Sequence, residues 1–261
     1  FTRMSYELTN NLETFVQVSW NQVRARQWAG THSDKGGITI QADNAFIPES
    51  VRQQLEDEGL TSFTMGSHNA DIPTRESDNT RTVQRYVVGL EGRFDAFNHD
   101  WRWDAYYQKG ITRAHEELYT YNTARLREAQ DAVFDGDGNI VCRSGNPDCV
   151  PFNRMVIGVN EQSAVDYIMG TPMRRQQFEQ DVAAVNFATS LHNVPWFSPI
   201  GFAFGLEHRR ESIDGNVDPQ YQSGWSVGNY LATSGKYDVT EGYFEVLVPL
   251  IDNLEFNGGV R

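Results

Sequence analysis

Between Thr82 and Ile111 the apolar residues recur at every second position through two runs joined by a short polar turn. A period of two is the period of a β-strand. The first run, Arg85 to Phe94, sends Tyr86, Val88, Leu90 and Phe94 to one face and Arg85, Gly89, Glu91 and Arg93 to the other. After a turn from Asp95 to Asp100, the second run sends Trp101, Trp103, Ala105, Tyr107 and Ile111 to one side, with Arg102, Asp104, Tyr106 and Gln108 opposite. This predicts an antiparallel hairpin. Its arms are about 10 residues or longer, against about 5 to 6 for a typical globular strand, and a strand needs about 9 to 11 to cross a bilayer at a tilt. Aromatics stand beside the turn, where a membrane-water interface would hold them, and full charges fill the opposite face. A strand apolar outside and charged inside suits a wide, wet barrel. Arginine at Val88 should then be costly and arginine at Gly89, on the wet side, milder unless it meets something inside the barrel.

No apolar run approaches the roughly 18 residues of a spanning helix, which excludes a helical membrane protein. The mean hydropathy of -0.55 is compatible with a membrane β-barrel, because half of each strand and all the loops are polar. A net charge of -13 argues against a nucleic-acid binder, which would carry a basic patch. Cys142 and Cys149 flank a Gly/Asn/Pro-rich segment that can close on itself, so a disulfide formed in an oxidising compartment is expected. The alternatives are two free thiols in a cytosolic loop, or a zinc pair without the second Cys/His pair it would need.

Four hairpins follow one another. Thr2 to Leu8 turns at Thr9-Asn10-Asn11 into Leu12 to Arg26, where Phe15 and Val23 break the alternation. The second is the hairpin described above. The third runs from about Gln176 to Leu191, with no clear face, through residues 192–199 into Ile200 to Glu211, where Phe202, Phe204 and Leu206 alternate with Ala203, Gly205, Glu207 and Arg209. In the fourth, Tyr237 to Leu250 sets Phe244, Val246, Val248 and Leu250 against Glu241, Tyr243 and Glu245, before a turn at 251–253. Long connections separate the hairpins at about 28–75, 113–174 and 213–236. They carry helix signals at Pro48 to Asp57, with Val51 and Leu55 four apart and Gly59 after the end, at Asn122 to Val133, and at Ser163 to Met169. Loops this long are functional or disordered. Both chain ends read as cut within strands. The expectation is one all-β domain over 1–261, an arc of about eight antiparallel transmembrane strands of a larger barrel, with long extracellular loops containing short helices.

Particular wording adds to this layout: Asn44-Ala-Phe-Ile-Pro48, Gly89-Leu-Glu-Gly-Arg-Phe94 followed by Trp103-Asp-Ala-Tyr-Tyr107, Asp131-Ala-Val133 leading to Gly138-Asn-Ile-Val-Cys-Arg143 and Cys149-Val-Pro151, and Tyr237-Asp-Val-Thr-Glu241 with Pro249-Leu250. In order and spacing the chain resembles the barrel portion of a TonB-dependent outer-membrane receptor. The resemblance implies a 22-stranded barrel in the outer membrane of a Gram-negative bacterium, with an N-terminal plug. It also implies uptake of a scarce small-molecule nutrient, such as a siderophore, cobalamin or an oligosaccharide, driven through the TonB complex. Plug, TonB box and terminal aromatic strand are not in this sequence.

Chemistry-bearing patterns are few. Asp135-Gly-Asp-Gly-Asn139 has the acidic spacing of an EF-hand start, but Ile140 stands where that loop needs glycine and no Glu follows at the twelfth position, so a hairpin turn is expected. His115-Glu116-Glu117 lacks the second His of a zinc protease, and no metal site or cofactor is assigned. With no nucleophile elbow, phosphate loop or dinucleotide fingerprint, an enzyme is not expected. Arg85, Glu91, Arg93, Arg102, Asp104, Glu207, Arg209, Glu241 and Glu245 are read as barrel-interior charges that pair with one another on a wet wall; the alternatives are a substrate path or contacts to a plug. Trp28, Tyr119, Tyr121, Tyr221, Trp225 and Tyr230 are the loop aromatics suited to a siderophore or a sugar face, against ordinary loop packing. Rival readings are a passive porin, with shorter loops, and a secreted all-β binding protein, whose apolar faces would pair into a core.

Overall fold

A computed structural model of the chain describes residues 1–30, 32–192, 199–226 and 230–261. In chain order its elements are β1 (Thr2–Thr9), β2 (Leu12–Trp28), β3 (Ser33–Gln41), α1 (Glu49–Asp57), β4 (Ser62–His68), β5 (Glu76–Ala96), β6 (His99–Tyr121) and α2 (Thr123–Gln130). There follow β7 (Ala132–Phe134), β8 (Ile140–Cys142), α3 (Gln162–Ile168), β9 (Met169–Gly170), β10 (Met173–Leu191), β11 (Ile200–Asn216), β12 (Thr233–Ile251) and β13 (Leu254–Val260). The long strands make one antiparallel sheet in the order β1-β2-β5-β6-β10-β11-β12-β13, with the short β9 beside β6. The eight expected strands are therefore present in the expected order. Among the described residues β1 and β13 end the sheet and do not pair with each other.

The central hairpin is tighter than its sequence suggests. Pairing runs without a register shift from Glu76↔Tyr119 to Ala96↔His99, so the six-residue turn shrinks to Phe97 and Asn98. Both have positive φ, 54° and 60°, the left-handed pair of a two-residue hairpin turn whose twist matches the strands it joins. The six central strands run 17 to 23 residues, longer than their alternating cores, because polar continuations keep pairing beyond the apolar stretch. The long connections shrink accordingly, to residues 29–75, 122–172 and 217–232. The turn expected between β10 and β11 lies mostly in residues 193–198, outside the described residues.

Alternation and register together sort the sheet into two faces. Leu90↔Ala105, Ala105↔Val185 and Val185↔Leu206 lie side by side across four strands, as do Trp103, Phe187, Phe204 and Phe244. The opposite face carries Glu91, Asp104 and Asn186 in one row. No second layer of described residues packs on either face; the long strands make their extensive contacts with sheet neighbours. Few sheet residues are buried, Phe15, Val87, Ala114 and Val182 among them.

Phe15, which breaks the alternation of β2, sits on the polar face and fills a gap over Gly89: a Cβ there would lie 2.5 Å from the Phe15 ring and 2.9 Å from the Ala105 carbonyl oxygen. Arg3 lies over that ring, 4.4 Å from its centroid. The expectation that Gly89 tolerates arginine is thus corrected, since the position has no room for any side chain.

The hydrophobic cores lie in the loops. Ile38, Ile40, Ile47 and Leu55 form one, joining the β3–β4 hairpin to α1. Ile72, Leu126, Ala129, Phe152, Ala164, Val165, Ile168 and Met169 form another around α2 and α3. Helix α1 forms where expected, with Leu55 buried and Gly59 at φ 65° behind it. The helix expected from Asn122 to Val133 is shorter: Asn122 caps it by accepting from the Ala124 and Arg125 amides, and it stops at Gln130 because Ala132 to Phe134 pairs with Ile140 to Cys142. Strand β3 is hidden in the sequence by Gly36 and Gly37, which bulge it and interrupt its period; it pairs with β4.

Gly89→Val is expected to lower the unfolding free energy by about 1 to 3 kcal/mol through overpacking. Refolding in detergent followed by urea titration measures it, and Phe15→Ala in the same chain should recover part of the loss.

Candidate functional site: the polar wall and the loop crown

The nine charges expected inside the barrel all fall on the polar face. They stand in rows: Glu91 with Asp104, Arg93 with Arg102 beside Ala188, Ala203 and Glu245, and Glu207 with Glu241. Their pairing with one another is partial. Glu207 lies 3.8 Å from Arg209, but Glu91 is bound by Arg3 at 3.1 Å, Glu241 by Arg261 at 2.6 Å, and Asp104 by the Asn186 amide at 2.8 Å. Arg93 and Arg102 oppose each other directly, as do Glu7 and Glu13, and Glu13 and Glu91. Like charges face to face across a ladder repel, and among the described residues neither Arg93 nor Arg102 has an ion pair. A depression of about 760 Å³ opens here, at the turn end of the wall.

Nearer the loops the wall is neutral and continuous. Arg85 donates to Gln17 at 3.3 Å and to Gln108 at 2.6 Å; Gln108 donates to Gln180 at 3.0 Å, Gln180 to Glu211 at 2.8 Å, and the Tyr237 hydroxyl donates to Glu211. This ladder crosses six strands. Only Arg85 in it was marked by sequence, since a glutamine in an alternating strand looks like any other polar residue.

Above the wall the loops are stitched into one crown. Arg143 binds Asp43 through Nη1 at 2.8 Å and Asp131 at 3.1 Å. Buried Asn44 donates to the Gln130 carbonyl at 2.8 Å, Ala45 donates to the Ala132 carbonyl, and Asn160 donates to Asp71 at 2.7 Å. Arg154 is only 4% exposed and pairs with Asp34. Apart from Arg143 to Asp131, which braces the second loop internally, each contact joins residues 29–75 to 122–172. The third loop enters through Trp225, which bridges Asn122, and through Ser226, whose amide donates to the Tyr121 carbonyl. Several stretches that carry the family resemblance are these stitches: Asn44, Asp131, Ala132 and Arg143.

Hydrogen bonds, first from Arg143, hold the Asp43 carboxyl below its ordinary pKa. Hydrogen bonds from Ser144, Tyr167 and Asn146 do the same for Glu128, while burial and then Glu128 itself push Tyr167 up to about 12. At Asp34 burial works upward and is outweighed by Arg154 and His32, so its pKa is also lowered.

The aromatic candidates divide. Tyr119 and Tyr121 pack on the α2–α3 core, and Tyr121 meets the edge of His32 at 4.6 Å. Trp225 is buried, donates to the Gln220 carbonyl, stacks edge-on with Tyr221 at 5.5 Å, and rests on Gly170, where a Cβ would lie 2.3 Å from its ring. Trp28 stands apart and exposed at the end of β2. Tyr230 lies over the Arg174 guanidinium, 5.2 Å away, and Arg174 binds Glu116 on the polar face. Of the six, Tyr230 is thus the one placed over the polar wall.

Cys142 and Cys149 are disulfide-bonded, with Cα atoms 6.2 Å apart. Asp135 accepts from the Asp137 and Asn139 amides at 2.9 and 2.8 Å, the hairpin turn expected from its sequence. Among the described residues no group of three or more His, Cys, Asp or Glu is placed to hold a metal ion. Comparison of the chain with profiles of known protein families and with curated proteins finds no match.

Because Asp34, Asp43 and Glu128 have lowered pKa values in the fold, what they contribute is present above the unfolded carboxylate value of about 4 and is lost as pH falls through the lower folded values. Hydrogen-exchange protection factors of crown amides are expected to drop between about pH 5 and pH 2 while those of β5 and β6 hold. Asp34→Asn, which strands the Arg154 charge, should cost about 3 kcal/mol, the low end for a buried pair because Asp34 keeps part of its surface in water. Thiol reagents on intact cells without reductant should leave both cysteines unlabelled.

Proposed function

We propose that the chain is part of the barrel of a TonB-dependent outer-membrane receptor, which binds a scarce small-molecule nutrient above and within its lumen and imports it with energy delivered through TonB. The observation that carries this reading is the uncovered apolar face. Val88 is 50% exposed, Leu206 60% and Tyr107 46%, in continuous rows that no other described element covers. Soluble monomers rarely leave such a surface open. A secreted all-β protein would close it against a second sheet.

The height of the apolar face also suits a bilayer. From Tyr86 to Phe94 the strand rises about 27 Å, or about 21 Å of height at the roughly 40° tilt of a barrel strand, close to the roughly 25 Å apolar band of such barrels. Above the band the same face turns ionic on neighbouring strands. Lys109 binds Glu179 at 2.6 Å and Asp181 at 2.9 Å, Arg210 binds Asp238 at 2.6 Å, and Arg24 binds Asp78 at 2.8 Å. Paired charges in a belt suit the headgroup and water side of a membrane boundary. Phe94, Trp101 and Phe204 cluster at the other boundary.

A receptor rather than an open porin is supported by the crown, whose two cores, disulfide and cross-loop ion pairs make a built surface instead of short lips around a pore. The family resemblance supplies plug and TonB coupling. Charges left facing like charges at Arg93 and Arg102 suit a wall that meets a further segment inside the barrel.

The full-length protein is expected in the outer-membrane fraction, with uptake abolished by collapse of the proton gradient. Recovery in the soluble periplasm would overturn the reading, and uptake that survives uncoupler would favour the porin. Val88→Arg and Val246→Arg, both on the apolar face, should each cost about 2 to 4 kcal/mol in folding into bilayers.

A further inference from the structure

A second depression, of about 600 Å³, opens on the polar wall between the amide ladder and the crown. Its apolar walls are Val83, Phe178 and Ile213, which sit in one row across β5, β10 and β11 with Thr112 between the first two. Phe178 is 40% exposed and Val83 39% on a face that is otherwise polar. Its floor is the ladder from Arg85 to Tyr237. Such pairing of apolar walls with convergent polar groups is the usual make-up of a small-molecule site.

Two glycines leave the space open. Elsewhere in the long strands a Cβ added to a glycine would come within 3.4 Å of a neighbour, as at Gly89, Gly205 or Gly258. At Gly110 and Gly235, both lining this depression, the nearest atom is 3.8 and 3.9 Å away, so nothing in the sheet requires glycine there. Glycine inside a strand weakens it by about 0.5 to 1 kcal/mol relative to alanine and commonly marks a place where a ligand comes close to backbone.

The chemistry of the floor sorts ligands. Its one lining cation, Arg85, and one lining anion, Glu211, are linked through Gln108 and Gln180, so the floor carries no net charge; Arg209, outside the lining, is shared between Glu211 at 3.4 Å and Glu207 at 3.8 Å. Arg81, four residues nearer the loops than Arg85, is exposed and outside the lining; Glu179 and Lys236 belong to the other face by alternation. Each bridging glutamine spends one N–H and one oxygen lone pair on the ladder and keeps one of each. A free donor beside a free acceptor is the complement of a hydroxyl group, which also offers one of each kind.

We infer that this depression is a subsite for a neutral, hydroxyl-rich ligand, namely a sugar chain laid across the strands, with ring faces on Val83, Phe178 and Ile213 and hydroxyls on the amide ladder. The inference rests on the receptor reading and narrows its substrate from the wider set of scarce nutrients to neutral glycans.

The test uses the full-length protein purified in detergent, titrated calorimetrically with a panel of neutral linear hexasaccharides (malto-, cello-, xylo- and laminarihexaose) and with ferric citrate as a charged comparator. At least one hexasaccharide should bind. Gly110→Leu, which fills the depression without removing a contact, and Phe178→Ala, which removes its wall, should each weaken binding by about tenfold or more. Phe97→Ala, in the distant turn, should leave it unchanged. Heat-modifiable migration confirms that each variant is folded. Binding by no hexasaccharide, or binding indifferent to both wall variants, overturns the inference. Membrane localisation and proton-gradient-dependent uptake, measured separately on the same protein, report on the receptor reading: a receptor that takes ferric citrate and no sugar keeps that reading and loses this one.

Discussion

Backbone hydrogen bonding between neighbouring strands holds the large part of this structure together, because among the described residues no hydrophobic core lies behind the sheet. In an ordinary domain the apolar side chains find one another and the strands follow. Here Tyr86, Val88, Leu90, Tyr107, Phe204 and Phe244 stand on one face with no described element over them, and the opposite face is charged. Pairing without slippage over the whole of β5 and β6 is what keeps these faces distinct, since a slip of one residue would exchange them. At about 25 cal/mol per Å², an apolar surface of this extent is a strong demand for an apolar surrounding. The proposed bilayer meets it with lipid in place of a second layer of protein.

Much of this was legible from sequence, and the reason is physical. In a sheet polar on one side and apolar on the other, every residue reports its face through polarity, so the central hairpin, the second arm of the third and the first arm of the fourth could be oriented by reading alternate letters. Legibility failed where one strand serves two environments. Strand β10 showed no clear face because Glu179 and Asp181 lie on the outer ionic belt while Phe178 and Val182 lie on the inner wall, which inverts the expected polarity along that stretch. Phe15 looked like an error in the pattern and is the partner of Gly89. Neither relation can be seen without the neighbouring strand.

The crown was legible in its parts and not in its assembly. Proline, asparagine and glycine announced the helices, and the spacing of Cys142 and Cys149 announced their bond. That Asp34 would meet Arg154, or Asp43 meet Arg143, is a contact between residues about a hundred positions apart that no local pattern encodes. The aromatic candidates show the same limit: Tyr119, Tyr121 and Trp225 have the composition of ligand-binding residues and the surroundings of a small core, while Phe178, on a strand, faces the open wall.

The stitching of the crown bears on how the protein looks to anything that touches it from outside. Asp43, Asp131 and Arg143 come from distant stretches of chain and lie together only because the loops are folded against each other. The outer surface is therefore a discontinuous epitope. Antibodies raised against a linear peptide from residues 29–75 would meet a segment whose Asn44, Ile47 and Leu55 are turned inward, whereas antibodies raised against the folded protein would read several loops at once and lose their target when the crown comes apart.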